Sequence, residues 1–204
     1  MTKIPYRKEI DGLRAIAVIS VILYHIKFDI GNFVLFKGGF VGVDVFFVIS
    51  GYLISKILLT ELKKTKTISV VDFYIRRARR ILPVLFFILL ILLIVGYFYL
   101  LPSWYLELSN TILSVLFFFS NIFFLFNEFN YGNLESDLNP LLHAWTLSLE
   151  EQFYILFPFV LITLNKFFKS RIILIIIIFT ITSFLAGILI NYLTQFEETF
   201  YQYD

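Results

Sequence analysis

Six long apolar runs constrain this chain more than any other feature. A bilayer hydrocarbon core about 30 Å thick takes about 20 apolar residues of helix to cross. Runs of that kind lie at roughly 11–30, 39–59, 81–101, 109–126, 142–164 and 171–191. The alternating apolar and polar pattern of a barrel strand is absent, and in lipid a helix satisfies its own backbone hydrogen bonds. With 59% hydrophobic residues, 26 phenylalanines and a mean hydropathy of +0.87, a soluble domain could not hide so much apolar surface. The expected fold class is therefore all-α, a polytopic transmembrane helical bundle with about six helices in this chain.

Several chemistries fall away on composition. There is no cysteine, which removes disulfides, thiolate catalysis and Cys-ligated metals. Two histidines in no HExxH-like spacing do not build a metal site. The basic residues flank apolar spans and do not form a soluble face, so no nucleic-acid partner is expected. Lys3, Arg7 and Lys8 ahead of an apolar run imitate a signal peptide. Asp11 and Arg14 interrupt that pattern, however, and no small-residue cleavage site follows. An uncleaved first span is expected.

That first span carries polar groups at both ends. Arg14 and His25 are eleven residues apart, a spacing that returns to within about 20° of one helix face and rises about 16 Å. Asp11, Arg14, Val18, Val21 and His25 then share a stripe. One reading is a site that holds an anion at the guanidinium and does chemistry at the imidazole. The other is that Arg14 snorkels to headgroups while His25 caps the far end of the span.

The second span opens on Gly38-Gly39-Phe40-Val41-Gly42-Val43-Asp44 and runs on to Ser50-Gly51-Tyr52. Small residues there permit close helix packing. Asp44 is costly in a span unless it faces a partner or a wet cavity, and Arg14 or His25 are the expected partners. A buried ion pair and a direct role in catalysis are both open.

Between the second and third spans come Lys56, Lys63, Lys64 and Lys66, then Arg76-Arg77-Ala78-Arg79-Arg80. The positive-inside rule makes this segment cytoplasmic, which places the N-terminus and Arg14 on the cytoplasmic side. Arg76 and Arg80 lie one turn apart, and Arg77 is three residues from Arg80, so several guanidiniums share a face. Such a cluster either anchors topology against anionic headgroups or clamps phosphate, which arginine binds bidentately.

A second polar stretch, His143-Ala-Trp-Thr-Leu-Ser-Leu-Glu150-Glu151-Gln152-Phe-Tyr154, opens the fifth span. His143 and Glu150 share a helix face, and both glutamates lie about two turns into the helix, beyond the reach of its N-terminal dipole. Six alternating crossings would put Lys166, Lys169 and Arg171 outside, against the positive-inside rule. The rule is met if 109–126 is re-entrant or does not cross. The sequence leaves both topologies open.

Together these stretches resemble the acyltransferase-3 family, polytopic membrane enzymes that O-acylate cell-envelope carbohydrates. The likeness rests on Glu9-Ile-Asp-Gly-Leu-Arg14 with ten residues before His25, and on Gly42-Val-Asp-Val-Phe-Phe-Val-Ile-Ser-Gly51-Tyr-Leu-Ile. It rests also on Phe73-Tyr-Ile-Arg76-Arg77-Ala-Arg-Arg80-Ile-Leu-Pro83 and on the stretch from His143 to Tyr154, in the family's order. The resemblance implies an O-acyltransferase, an O-acetyltransferase first of all, with acetyl-CoA or another acyl-CoA as donor and no permanently bound cofactor. It implies Arg14, Arg76, Arg77 and Arg80 as holders of the acyl-CoA phosphates. His25 would be the base on an acceptor hydroxyl, with Asp44 and Glu150 as further catalytic candidates. Family members usually have about ten spans. The polar stretch from Asn191 to Asp204 reads as a loop cut in mid-course, so residues 1–204 are expected to be one domain truncated at its C-terminus. The competing class is a non-enzymatic transporter or flippase-type protein with Asp44, His25 and Glu150 along a polar path. No internal repeat supports it. An inactive remnant is the third alternative.

Overall fold

The computed structural model describes residues 7–26, 29–30, 33–34, 37–126, 139–169 and 171–201, without the side chains of 29–30, 33–34 and 194–201. Seven helices fall within these residues: α1 Lys8–His25, α2 Val41–Thr65, α3 Val70–Tyr99, α4 Pro102–Leu116, α5 Ser120–Phe126, α6 Ala144–Phe168 and α7 Ile172–Tyr201. A minimal antiparallel pair, β1 (29–30) and β2 (33–34), joins Asp29 to Val34 and Ile30 to Phe33 between α1 and α2. The all-helical polytopic class is as expected.

The chain divides into two compact units, 1–158 and 159–204. In the first, α1 and α2 pack closely because Gly42 lets them touch. A Cβ at Gly42 would lie 2.5 Å from the Ala17 carbonyl oxygen and 2.8 Å from Val21 Cγ2. α2 stops at Lys66, whose left-handed φ of 62° and N–H bond to the Leu62 carbonyl (3.0 Å) end the helix. A three-residue turn then leads into α3, pinned where Glu61 accepts the Ser69 N–H at 2.9 Å and Ser69 Oγ donates to Asp72 at 2.7 Å. Pro102 at the first position of α4 restarts the chain after α3. Leu85 and Leu89 of α3, Leu108 and Val115 of α4, and Leu141 form the apolar core beside it.

The expected span over 109–126 is not one helix. It breaks at Phe117–Phe119, where Phe118 takes a φ of 55°, a conformation costly for a bulky residue. Polar contacts with α6 hold the break. Gln152 Nε2 donates to the Phe118 carbonyl (2.8 Å) and to Asn121 Oδ1 (2.9 Å), and the buried Ser120 and Ser148 hydroxyls meet at 2.7 Å. At 1.5 Å per residue, α4 reaches about 22 Å, short of the hydrocarbon thickness. Among the described residues, four helices are long and apolar enough to cross a membrane: α2, α3, α6 and Ile172–Leu193 of α7. α1 is not among them, because Lys8, Glu9, Asp11 and Arg14 fall within its 18 residues.

In the second unit, α6 continues beyond Pro158 to a basic turn of Lys166, Lys169 and Arg171, and α7 follows. The backbone stays helical through Tyr201 where the sequence reads as loop. The outward faces of α3 and α7, from Phe86 and Phe87 to Ile173 and Phe179, are exposed and apolar. A surface of this kind is stable in lipid and not in water.

Candidate active site

Two polar clusters stand out within the first unit, one at the end of α1 and one deeper along α6. His25, the last residue of α1, is exposed, and its Nδ1 lies 2.8 Å from the Val21 carbonyl oxygen one turn back. A carbonyl only accepts, so Nδ1 carries a proton, and a neutral ring in this tautomer has its lone pair on Nε2. Against this imidazole stands His143, just before α6, with ring centroids 4.3 Å apart at 70°. Tyr24 meets the His25 ring edge-on at 5.1 Å and Phe40 at 5.8 Å, while Phe47 and Trp145 approach at 6.5 Å. The end of α1, the start of α2 and the start of α6 therefore converge.

Arg14 is half-buried lower on α1, its guanidinium carbon 5.8 Å from the centre of the Phe46 ring, near the limit of a cation–π contact. Asp44 is exposed in the first turn of α2. Among the described residues it forms no ion pair with Arg14 or His25, contrary to the expected pairing. The first turn of a helix suits an acidic side chain without one.

The deeper cluster joins α3 to α6. Arg77 is half-buried, its guanidinium carbon 4.3 Å from the centre of the Tyr154 ring and 6.0 Å from that of Phe73. The Tyr154 hydroxyl donates to Glu150 Oε1 at 2.5 Å, so the partner of Glu150 is this tyrosine. Tyr74 donates to the Ile155 carbonyl at 2.6 Å, a second tie between the same helices. Glu151 is buried, and its Oε1 has no hydrogen-bond partner among the described residues. The positive charge of Arg77 attracts it. Arg76 and Arg80 differ from Arg77 in facing outward, exposed one turn apart on α3.

The structure thus brings His25 to His143, ties Glu150 to Arg77 through Tyr154, and leaves Asp44, Arg76 and Arg80 exposed. Sequence reasoning did not place His143 in the site. The available signal was that the two histidines of the chain each stand at the end of an apolar helix. They can meet only if α1 ends on the membrane face where α6 begins, and the topology was open.

A family model described as an acyltransferase domain matches residues 7–203. The chain is 40% identical over 165 residues to a peptidoglycan O-acetyltransferase OatA of Listeria monocytogenes, covering 81% of this chain and 26% of that protein. It is 38% identical over 166 residues to an O-acetyltransferase OatA of Staphylococcus aureus, again 81% and 26%. A putative O-acetyltransferase of Staphylococcus aureus is 42% identical over 171 residues, 83% of this chain and 27% of that one. The chain spans about a quarter of the length of these curated relatives. No solved structure matches it.

Proposed function

This chain belongs to the acyltransferase-3 family, and from that premise we propose that it is the membrane part of an O-acetyltransferase. Its acceptor is a hydroxyl of an envelope carbohydrate, peptidoglycan first of all. The observation that carries the reading is the bond from His25 Nδ1 to the Val21 carbonyl, which leaves Nε2 as the basic nitrogen.

The donor is acyl-CoA, acetyl-CoA in the simplest case. Exposed Arg76 and Arg80 on α3 suit its phosphates as bidentate partners, and Arg14 adds charge along α1. Arg77 belongs to the same set by sequence, but its place on the Tyr154 ring supports a role behind the clamp. His25 Nε2 takes the proton of the acceptor hydroxyl as that oxygen attacks the thioester carbonyl. The carbon–sulfur bond breaks, and the proton passes from the imidazolium to the departing thiolate, giving ester and free coenzyme A. Asp44, exposed on the first turn of α2, is a candidate to bind the acceptor. Glu150 acts through Tyr154.

Orientation follows from charge. With Lys63, Lys64, Lys66 and the α3 arginines in the cytoplasm, the N-terminus is cytoplasmic and His25 faces outward. The break at Phe118 supports an α4–α5 segment that enters and returns, after which the basic turn at Lys166–Arg171 also falls on the cytoplasmic side. The acyl group then travels the roughly 16 Å between the levels of Arg14 and His25.

The test is acetyl transfer from labelled acetyl-CoA into envelope carbohydrate by membranes carrying this chain within its full-length protein. Label should enter the carbohydrate, and His25→Ala should reduce incorporation by a factor of about 10² or more. Undiminished transfer by that variant would remove His25 from the chemistry.

A further inference from the structure

We propose that His143 is a positioning residue for His25, holding the imidazole so that Nε2 stays available to the acceptor hydroxyl. This rests on the reading of His25 as the base. His25 sits at the exposed end of α1, where the broad final torsion of a histidine leaves its ring loosely set. Its hydrogen bond to Val21 and its contact with Tyr24 both come from its own helix, so both move with α1. The His143 ring, 4.3 Å away, arrives from the start of α6. Among the described residues, it is the ring that ties the imidazole to another helix.

The 70° angle between the planes marks a ring-edge on ring-face contact. Such a contact acts through shape, and an aromatic ring of similar size serves equally well. It also favours the imidazolium formed during transfer, because a π face attracts a neighbouring cation. The proposal therefore separates the two histidines chemically. His25 cannot be replaced, whereas His143 can be replaced by phenylalanine and not by alanine.

Two histidines in the sequence permit a direct test. The chain, labelled with ¹⁵N in its imidazoles and placed in lipid nanodiscs, gives a pair of ring-nitrogen signals from each histidine, and His143→Ala leaves the pair from His25. In the parent chain the His25 signal should be the Nδ1–H tautomer alone. In His143→Ala it should become a mixture of both tautomers, and His143→Phe should restore the single form. A pure Nδ1–H signal in His143→Ala would overturn the proposal without any assay of transfer.

The kinetic arm uses the full-length protein. His143→Ala should lower kcat about ten- to a hundred-fold with the donor KM within about twofold, and His143→Phe should recover most of it. Full activity in His143→Ala, or a His143→Phe variant as slow as the alanine, would overturn it. The latter would assign His143 to proton transfer instead. Undiminished transfer by His25→Ala is a different failure, that of the base assignment, and the tautomer spectra tell the two apart. Circular dichroism of each variant in nanodiscs separates lost helix from lost activity.

Discussion

Among single residues, the arginines of α3 show how burial divides a motif. In sequence, Arg76, Arg77 and Arg80 are alike, and the three read together as a headgroup anchor or a phosphate clamp. In the structure Arg77 covers the Tyr154 ring beside a buried glutamate, while Arg80 faces outward. Their substitutions should therefore fail differently. Arg77→Ala removes the cation–π contact with Tyr154, and should lower stability by about 1–3 kcal/mol, read as a reduced melting temperature in detergent. Arg80→Ala should leave melting unchanged and raise the donor KM about tenfold or more, the size of a lost charge-assisted phosphate contact. Equal effects on melting would mean that the two are not divided in this way. The residue types of this cluster were legible in the sequence. Their partners were not, because helical phase gives a face and not the neighbour that meets it.

At the level of elements, the spacing of apolar residues announced each long helix, though α3 begins at Val70 where a span was expected from 81, and α7 runs to Tyr201 past the expected 191. One failure lies at α1, too charged to count among the spans, and another at 109–126, where a run without charged residues reads as one span. Nothing in Leu116-Phe117-Phe118-Phe119 marks a turn, and no glycine or proline interrupts it. The break is held by Gln152 and Ser148, side chains some thirty residues away on α6, so the information lies in another element. Gln152→Ala should cost about 1–3 kcal/mol, since it leaves the Phe118 carbonyl unpaired, and should raise hydrogen exchange at residues 117–121. Protection equal to the parent's would show that α4–α5 breaks without this brace. The α1–α2 contact was more legible, since Gly42 already pointed to close packing. Its consequence for the site was not. The crowded Val21 side chain belongs to the residue whose carbonyl holds His25.

For the whole molecule, the membrane class followed from composition, because no water-soluble arrangement accommodates so much apolar surface, and the all-α class followed from the length of the apolar runs. The topology did not follow, and the absence of cysteine makes it measurable. Cysteines placed singly at Lys64 and Lys169 should resist a membrane-impermeant thiol reagent added outside intact cells, while one at Ile26 should react. Labelling of Lys169→Cys from outside would mean that α4–α5 crosses after all. The contact between His25 and His143 also has a consequence for biosynthesis. The two rings are more than a hundred residues apart, and a chain grows at about 5–20 residues per second. His25 therefore leaves the ribosome roughly 6–24 s before its partner exists. Until the start of α6 is made, the nascent protein carries the His25 imidazole without the ring that stands against it in the folded chain.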